Sequence, residues 1–203
     1  MSTPTRSRAV ESFKNAAETI GKIEHGTQVF AITRGQFSMI DAILHTLEET
    51  GPAHISVWTW VIAAYEVHQI DALIKSGKVL SARMIIDRSA EKNESEIMKD
   101  WRIRFGNDSI RIVRNHAKIA RVWNDDLRVL LRGSMNLNFN PRFEQLDVSE
   151  GGPEFDLVTE IEDALPTLPP KPTNAAVDKA TQLGLAFDSS TLEMFHGVKT
   201  WAK

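Results

Sequence analysis

His116-Ala117-Lys118 is the stretch of this sequence best equipped for covalent chemistry. In an extended segment, residues two apart project to one face, so an imidazole and an ammonium converge on the same bound group. An imidazole can attack phosphorus while a fixed cation neutralises the equatorial oxygens as charge builds on them. Gly133-Ser134-Met135-Asn136 ends a later strand-like run. Its hydroxyl and amide are neutral donors that can hold phosphate oxygens without repelling them. Glu144 falls in a further strand-like run. A carboxylate there can accept from a histidine ring N–H, fixing the tautomer and supporting the imidazolium.

H-x-K, a turn aspartate at Asp126, G-S-x-N and a following glutamate together resemble the signature of the phospholipase D superfamily. The resemblance is close from about Ile110 to Val148, and the preceding strand and helix alternation from Gln28 is compatible with that family's core. It implies a two-step phosphodiester transfer through a covalent phosphohistidine, with no metal or other cofactor. His116 would be the nucleophile, Lys118 and Asn136 would bind phosphate with Ser134 assisting, and Glu144 would orient a histidine. Asp126 and Gly133 match structural positions of the motif. One departure is the spacing: seven residues, Ile119 to Asp125, separate Lys118 from Asp126, where the family usually has four. The six from Leu127 to Arg132 before Gly133 do match, so a longer or bulged hairpin is expected. The chemistry also needs a second histidine to protonate the leaving oxygen, and the chain carries a single H-x-K. Single-motif members of the family pair two chains, which implies a C2 homodimer with its active site on the symmetry axis.

The elements that must position these groups show in the hydrophobic periodicity. Val10, Phe13, Ala17 and Ile20 recur at steps of three and four, which predicts a leading helix over residues 8–23. Gln28 to Thr33 reads as a buried strand, and Phe37, Ile40, Leu44 and Leu47 define a helix stopped by Gly51-Pro52. His54 to Trp58 and Val79 to Ile86 read as strands, Tyr65 to Lys75 and about Glu91 to Phe105 as helices. This alternation predicts an α/β fold: a mixed, largely parallel twisted sheet flanked by helices on both faces. Ser109 to Arg114, Lys118 to Trp123 and Leu127 to Leu131 are strand-like runs with no helix between them, and Asn124-Asp125-Asp126 reads as a hairpin turn. Phe143 to Ser149 is a further strand, and Glu154 to Leu165 a helix leading away. Four Pro between Pro166 and Thr173 mark a linker. The expected organisation is an N-terminal helical segment (1–26), a catalytic domain (27–165), and a linker with a C-terminal tail (166–203). The tail's Phe187, Phe195 and Trp201 suit docking on the domain or on a protein partner.

Composition narrows the chemistry further. The 203 residues include no Cys, which removes disulfides, thiolate metal sites and cysteine nucleophiles. His25, His45, His54, His68 and His196 show no paired metal-ligand spacing, so no metal site is expected. The longest apolar stretch, Val57 to Tyr65, is interrupted by Thr59 and falls short of the roughly 20 residues that span a bilayer. The first 20 residues lack the apolar core of a secretory signal, so no membrane association and a cytoplasmic location are expected. The formal charge of -3 hides an asymmetry. Trp101 to Arg142 carries nine Lys and Arg against three acids, and Phe143 to Pro166 carries eight acids and no base. A positive segment suits a phosphate-bearing partner, with Arg114 and Arg121 near the motif as steering or binding cations. Trp58 and Trp60 follow as candidates to stack on bases, core packing being their expected use. The sequence thus predicts a nuclease acting on DNA. A nucleic-acid-binding or phage assembly component that retains the fold is the alternative reading, and a lipid or small-phosphodiester hydrolase a third.

Overall fold

The computed structural model describes residues 6–165, apart from 13, 61, 63, 88, 90–95 and 138–140. The expected linker and tail at 166–203 lie outside the described residues. In chain order the elements are β1 (Arg6–Ser12), α1 (Ala16–Ile20), β2 (Thr27–Thr33), α2 (Met39–Thr50), β3 (Ala53–Thr59), α3 (Ala64–Lys75), β4 (Val79–Asp87), α4 (Glu96–Phe105), β5 (Ile110–Val113), β6 (Lys118–Trp123), β7 (Arg128–Gly133), β8 (Glu144–Glu150) and α5 (Pro153–Ala164). The eight strands form one sheet in the order β1-β2-β8-β7-β6-β3-β4-β5.

The pairing corrects the expected largely parallel sheet. β1–β2, β3–β4 and β4–β5 are parallel, whereas β2–β8, β3–β6, β6–β7 and β7–β8 are antiparallel, a majority of four pairs to three. The reason is connection length. Parallel neighbours need a crossover of a dozen or more residues, while strands joined by a tight turn can only run antiparallel. The Asn124–Leu127 turn joins β6 to β7, and β8 pairs antiparallel with β7, so this meander fills the centre and separates two parallel groups.

The expected N-terminal helix is also replaced. Arg6 to Ser12 is an edge strand, paired from Arg6↔Thr27 to Ser12↔Thr33 and mostly exposed. A strand that buries so little leaves no alternation in its sequence, so the spacing of Val10 to Ile20 mimicked a helical face. The real helix is α1, which begins where the Asn15 Oδ1 accepts from Glu18 N at 2.8 Å and ends at Gly21, φ 66°.

Strand alternation divides the sheet into two faces. Val29 and Ala31 of β2, Ala120 and Val122 of β6, Val129 and Leu131 of β7, and Leu146 and Val148 of β8 join a core that includes Ile20 of α1, Ile43 of α2, Ile70 of α3 and Trp101 of α4. On the opposite face Leu130 packs with Phe155 and Val158 of α5, flanked by Trp58, Ile119 and Trp123. Among the described residues no helix is long and apolar enough to cross a membrane.

Candidate active site

The site forms where several strand ends meet. The C-terminal ends of β2, β3, β4 and β7 and the N-terminal ends of β6 and β8 lie at one edge of the sheet, as the registers Thr33↔Glu144, Gly133↔Leu146, Lys118↔Gly133 and Trp58↔Ile119 require. The β6–β7 ladder has six consecutive pairs, from Lys118↔Gly133 to Trp123↔Arg128. The long Lys-to-Asp spacing is therefore absorbed as extra ladder without a bulge, and Lys118 stays directly opposite the start of G-S-x-N. Asn124 closes the turn, its Oδ1 accepting from Asp126 N at 3.0 Å and Leu127 N at 2.9 Å. The Asp126 carboxylate is exposed at this far end of the hairpin, 3.5 Å from His25.

Gly133 permits the close approach of β7 to β8. A Cβ at this position would fall inside the backbone carbonyl of Gln145. Ser134 N donates to that carbonyl at 3.1 Å, and Gln145 N donates to Ser134 Oγ at 2.9 Å. The Ser134 hydroxyl in turn donates to the Glu144 carboxylate. The Asn136 Oδ1 is buried among the described atoms without a hydrogen-bond partner, while Asn136 O accepts from Met39 N at the start of α2.

His116 is exposed in the turn before β6, and Lys118 beside it is buried. Lys118 Nζ donates to His116 O at 2.6 Å and stands 3.3 Å from His116 Nδ1. An ammonium only donates, so a hydrogen bond across this contact requires Nδ1 to be the accepting nitrogen. Burial pulls the Lys118 ammonium below its usual pKa, and the Glu144 carboxylate opposes that shift. Lys118, His116, Ser134 and Glu144 are thus brought together. The partners of Glu144 include the Ser134 hydroxyl and the Lys118 charge. A shallow groove leads away from Lys118 and Ser134 between Ala117, Ile119, Arg132 and Asp147.

Arg121 is not part of this cluster. It lies three residues after Lys118 on the same strand and so projects to the opposite face of the sheet. There it is buried, hydrogen-bonded to Glu162 of α5 and stacked over Trp123 and Phe155 at 4.5 Å and 5.1 Å. Arg114 is exposed, two residues before His116. The wider basic block is also engaged by α5: Arg128 meets Asp156 at 2.6 Å and Arg132 stands 3.9 Å from Glu154.

Sequence reasoning missed the network that holds the His116 turn. Asn115 is buried; its Nδ2 donates to Thr59 O at 3.1 Å and its Oδ1 accepts from Ala117 N at 2.9 Å. Asn115 N donates to Asp87 Oδ2 at 2.8 Å, so β3 and β4 together position the loop. A polar residue immediately before H-x-K was the available signal. Trp58 and Trp60, treated alike in the sequence, part company. Trp58 packs under α5 and donates to Glu162 at 2.7 Å, whereas Trp60 is 44% exposed and its ring lies 5.5 Å from that of His116.

Neither a protein-family model nor a curated protein sequence matches this chain. Among solved structures it is similar to polyphosphate kinase from Porphyromonas gingivalis, with 16% identity and a TM-score of 0.49 over 72% of this chain. The chain spans 27% of that kinase's length.

Proposed function

We propose that this protein is a phosphodiester hydrolase of the phospholipase D type that acts on nucleic acid, DNA foremost, in an active site shared by two chains. The observation that carries this reading is the cluster at the sheet edge: an exposed imidazole touched by a buried ammonium, with a hydroxyl and a carboxylate beyond it. Those groups are the ones an in-line displacement at phosphorus requires.

In the first step a nitrogen of His116 attacks phosphorus; the P–N bond forms and the P–O bond to the leaving strand breaks. The leaving oxygen takes a proton from His116 of a second copy of the chain. The Lys118 ammonium transfers from the His116 carbonyl to the phosphate oxygens, and Ser134 and Asn136 supply neutral donors. In the second step water attacks phosphorus, the second imidazole accepts its proton, and the P–N bond breaks to restore His116. The chain's own groups carry both steps, so cleavage is expected to survive excess chelator.

The test is cleavage of plasmid DNA, of single-stranded DNA and of an activated phosphodiester in excess chelator, by wild type and His116→Ala. Chelator-resistant cleavage abolished by the substitution supports the proposal. Equal background in both, with salt-sensitive DNA binding, indicates a binding or assembly role instead. A monomeric mass by light scattering at micromolar concentration refutes the shared site.

A further inference from the structure

We propose that Trp60 is a stacking platform for a nucleobase attached to the scissile phosphate, a subsite that makes the protein selective for unpaired nucleotides. This rests on the nucleic-acid reading and names the group that His116's neighbour would hold. Trp60 lies just past the end of β3, so it is outside the ladder and its ring is not drawn into either core. It remains 44% exposed, so part of its ring surface is open to a ligand. Its ring centroid is 5.5 Å from that of His116, with the planes tilted by 51°.

The ring is bonded to the same network that holds the loop carrying His116. Trp60 Nε1 donates to Ser89 Oγ at 3.3 Å, and Ser89 N donates to Asp87 Oδ1 at 2.8 Å. The other oxygen of Asp87 accepts from Asn115 N, one residue before His116. Thr59 O, immediately before Trp60, accepts from Asn115 Nδ2. The indole and the loop that carries His116 are therefore tied to the same carboxylate, and a planar group carried by a phosphate at His116 lies within reach of the indole. A preorganised aromatic surface binds without first having to be ordered. Base stacking on an aromatic side chain is tolerant of sequence but requires an unstacked base, which a paired duplex does not offer.

The experiment compares a fluorescently labelled oligothymidylate with a strand of equal length carrying abasic spacers. Binding is measured in the His116→Asn background, so that no strand is cut, and cleavage in the chain with native His116. The thymine strand is expected to bind about tenfold more tightly than the abasic one, Trp60→Ala to erase that difference, and Trp60→Phe to retain most of it. In cleavage, kcat/KM is expected to fall with Trp60→Ala on the thymine strand and to be unchanged on the abasic strand. Equal affinity of the native Trp60 protein for both strands overturns the subsite while leaving the nuclease reading intact. An equal loss of cleavage on both strands in Trp60→Ala also overturns it, since Trp60 would then act only on the imidazole. Failure to bind either strand overturns the nucleic-acid reading together with the subsite.

Discussion

Replacing Glu162 by Ala tests the assignment of Arg121 to the scaffold. Arg121 is 2% exposed and Glu162 fully buried, and the pair lies between the sheet and α5. The Glu162 carboxylate also accepts from Ser56 Oγ at 2.6 Å and Trp58 Nε1 at 2.7 Å, with Arg83 at 3.4 Å on its outer side. Removing it leaves a guanidinium buried without its counter-charge, a loss of about 3–5 kcal/mol. Two donors lose their acceptor as well, at about 1 kcal/mol each before any water enters. Arg83 is partly exposed and rehydrates. The sum, about 5–7 kcal/mol, is a large part of the roughly 5–15 kcal/mol that holds a domain folded. With a urea slope of about 2 kcal/mol per M, the unfolding midpoint should fall by roughly 2.5–3.5 M. Arg121→Met combined with Glu162→Leu removes both charges, restores most of the midpoint, and leaves cleavage unchanged. A Glu162→Ala midpoint within about 0.5 M of wild type refutes the assignment, as does loss of cleavage in a stable double variant.

Gly133→Ala places a methyl group inside the Gln145 carbonyl, and neither backbone can yield without moving Ser134. A loss of about 1–3 kcal/mol is expected in thermal unfolding, together with reduced cleavage. Lys118 has its folded-state pKa below the ordinary 10.5, so the unfolded chain binds more protons on the alkaline side. Wild-type stability therefore rises relative to Lys118→Met as pH climbs through the folded pKa toward 10.5, and at neutral pH the Met variant is at least as stable, though inactive. Urea midpoints at several pH values check this, and a pH-independent deficit in the Met variant contradicts it. Asn115→Ala removes the tie from the His116 loop to Thr59. Its kcat should fall more than tenfold with KM little changed, a split that simple loss of folded protein does not produce.

The meeting of Lys118 with Ser134 was legible because motif spacing and strand alternation are both local. Lys118 and Ser134 needed only correct strands and register to meet, and the turn at Asn124 set that register. Strand direction was harder to read: helical crossovers in the first half suggested a parallel sheet, while the tight turn at Asn124 and the antiparallel return of β8 determined the middle of it. The misplacement of Arg121 was avoidable. Its offset of three from Lys118 puts the two on opposite faces of any regular strand. Trp60 was not readable in that way, because alternation ends with the ladder at Thr59 and its ring orientation depends on Ser89, a residue from another strand's end.

The two charge blocks that stood out in the sequence prove to be complements of one another. Acids from the segment after Phe143 neutralise bases from the segment before it: Glu162 on Arg121, Asp156 on Arg128, Glu154 near Arg132. They do so because α5 crosses the face of the sheet onto which β6 and β7 project those arginines. A run of positive charge on a strand is therefore a weak indicator of a polyanionic partner when an acidic helix follows it in sequence. The case for nucleic acid passes from the block as a whole to its edge. There Lys118 and the exposed Arg114 flank His116, and a pinned indole offers the one kind of surface that phosphate attraction alone does not explain. Stacking and a local cation at a single diester would make affinity depend less on salt than a groove of arginines would, since fewer counterions leave the strand on binding.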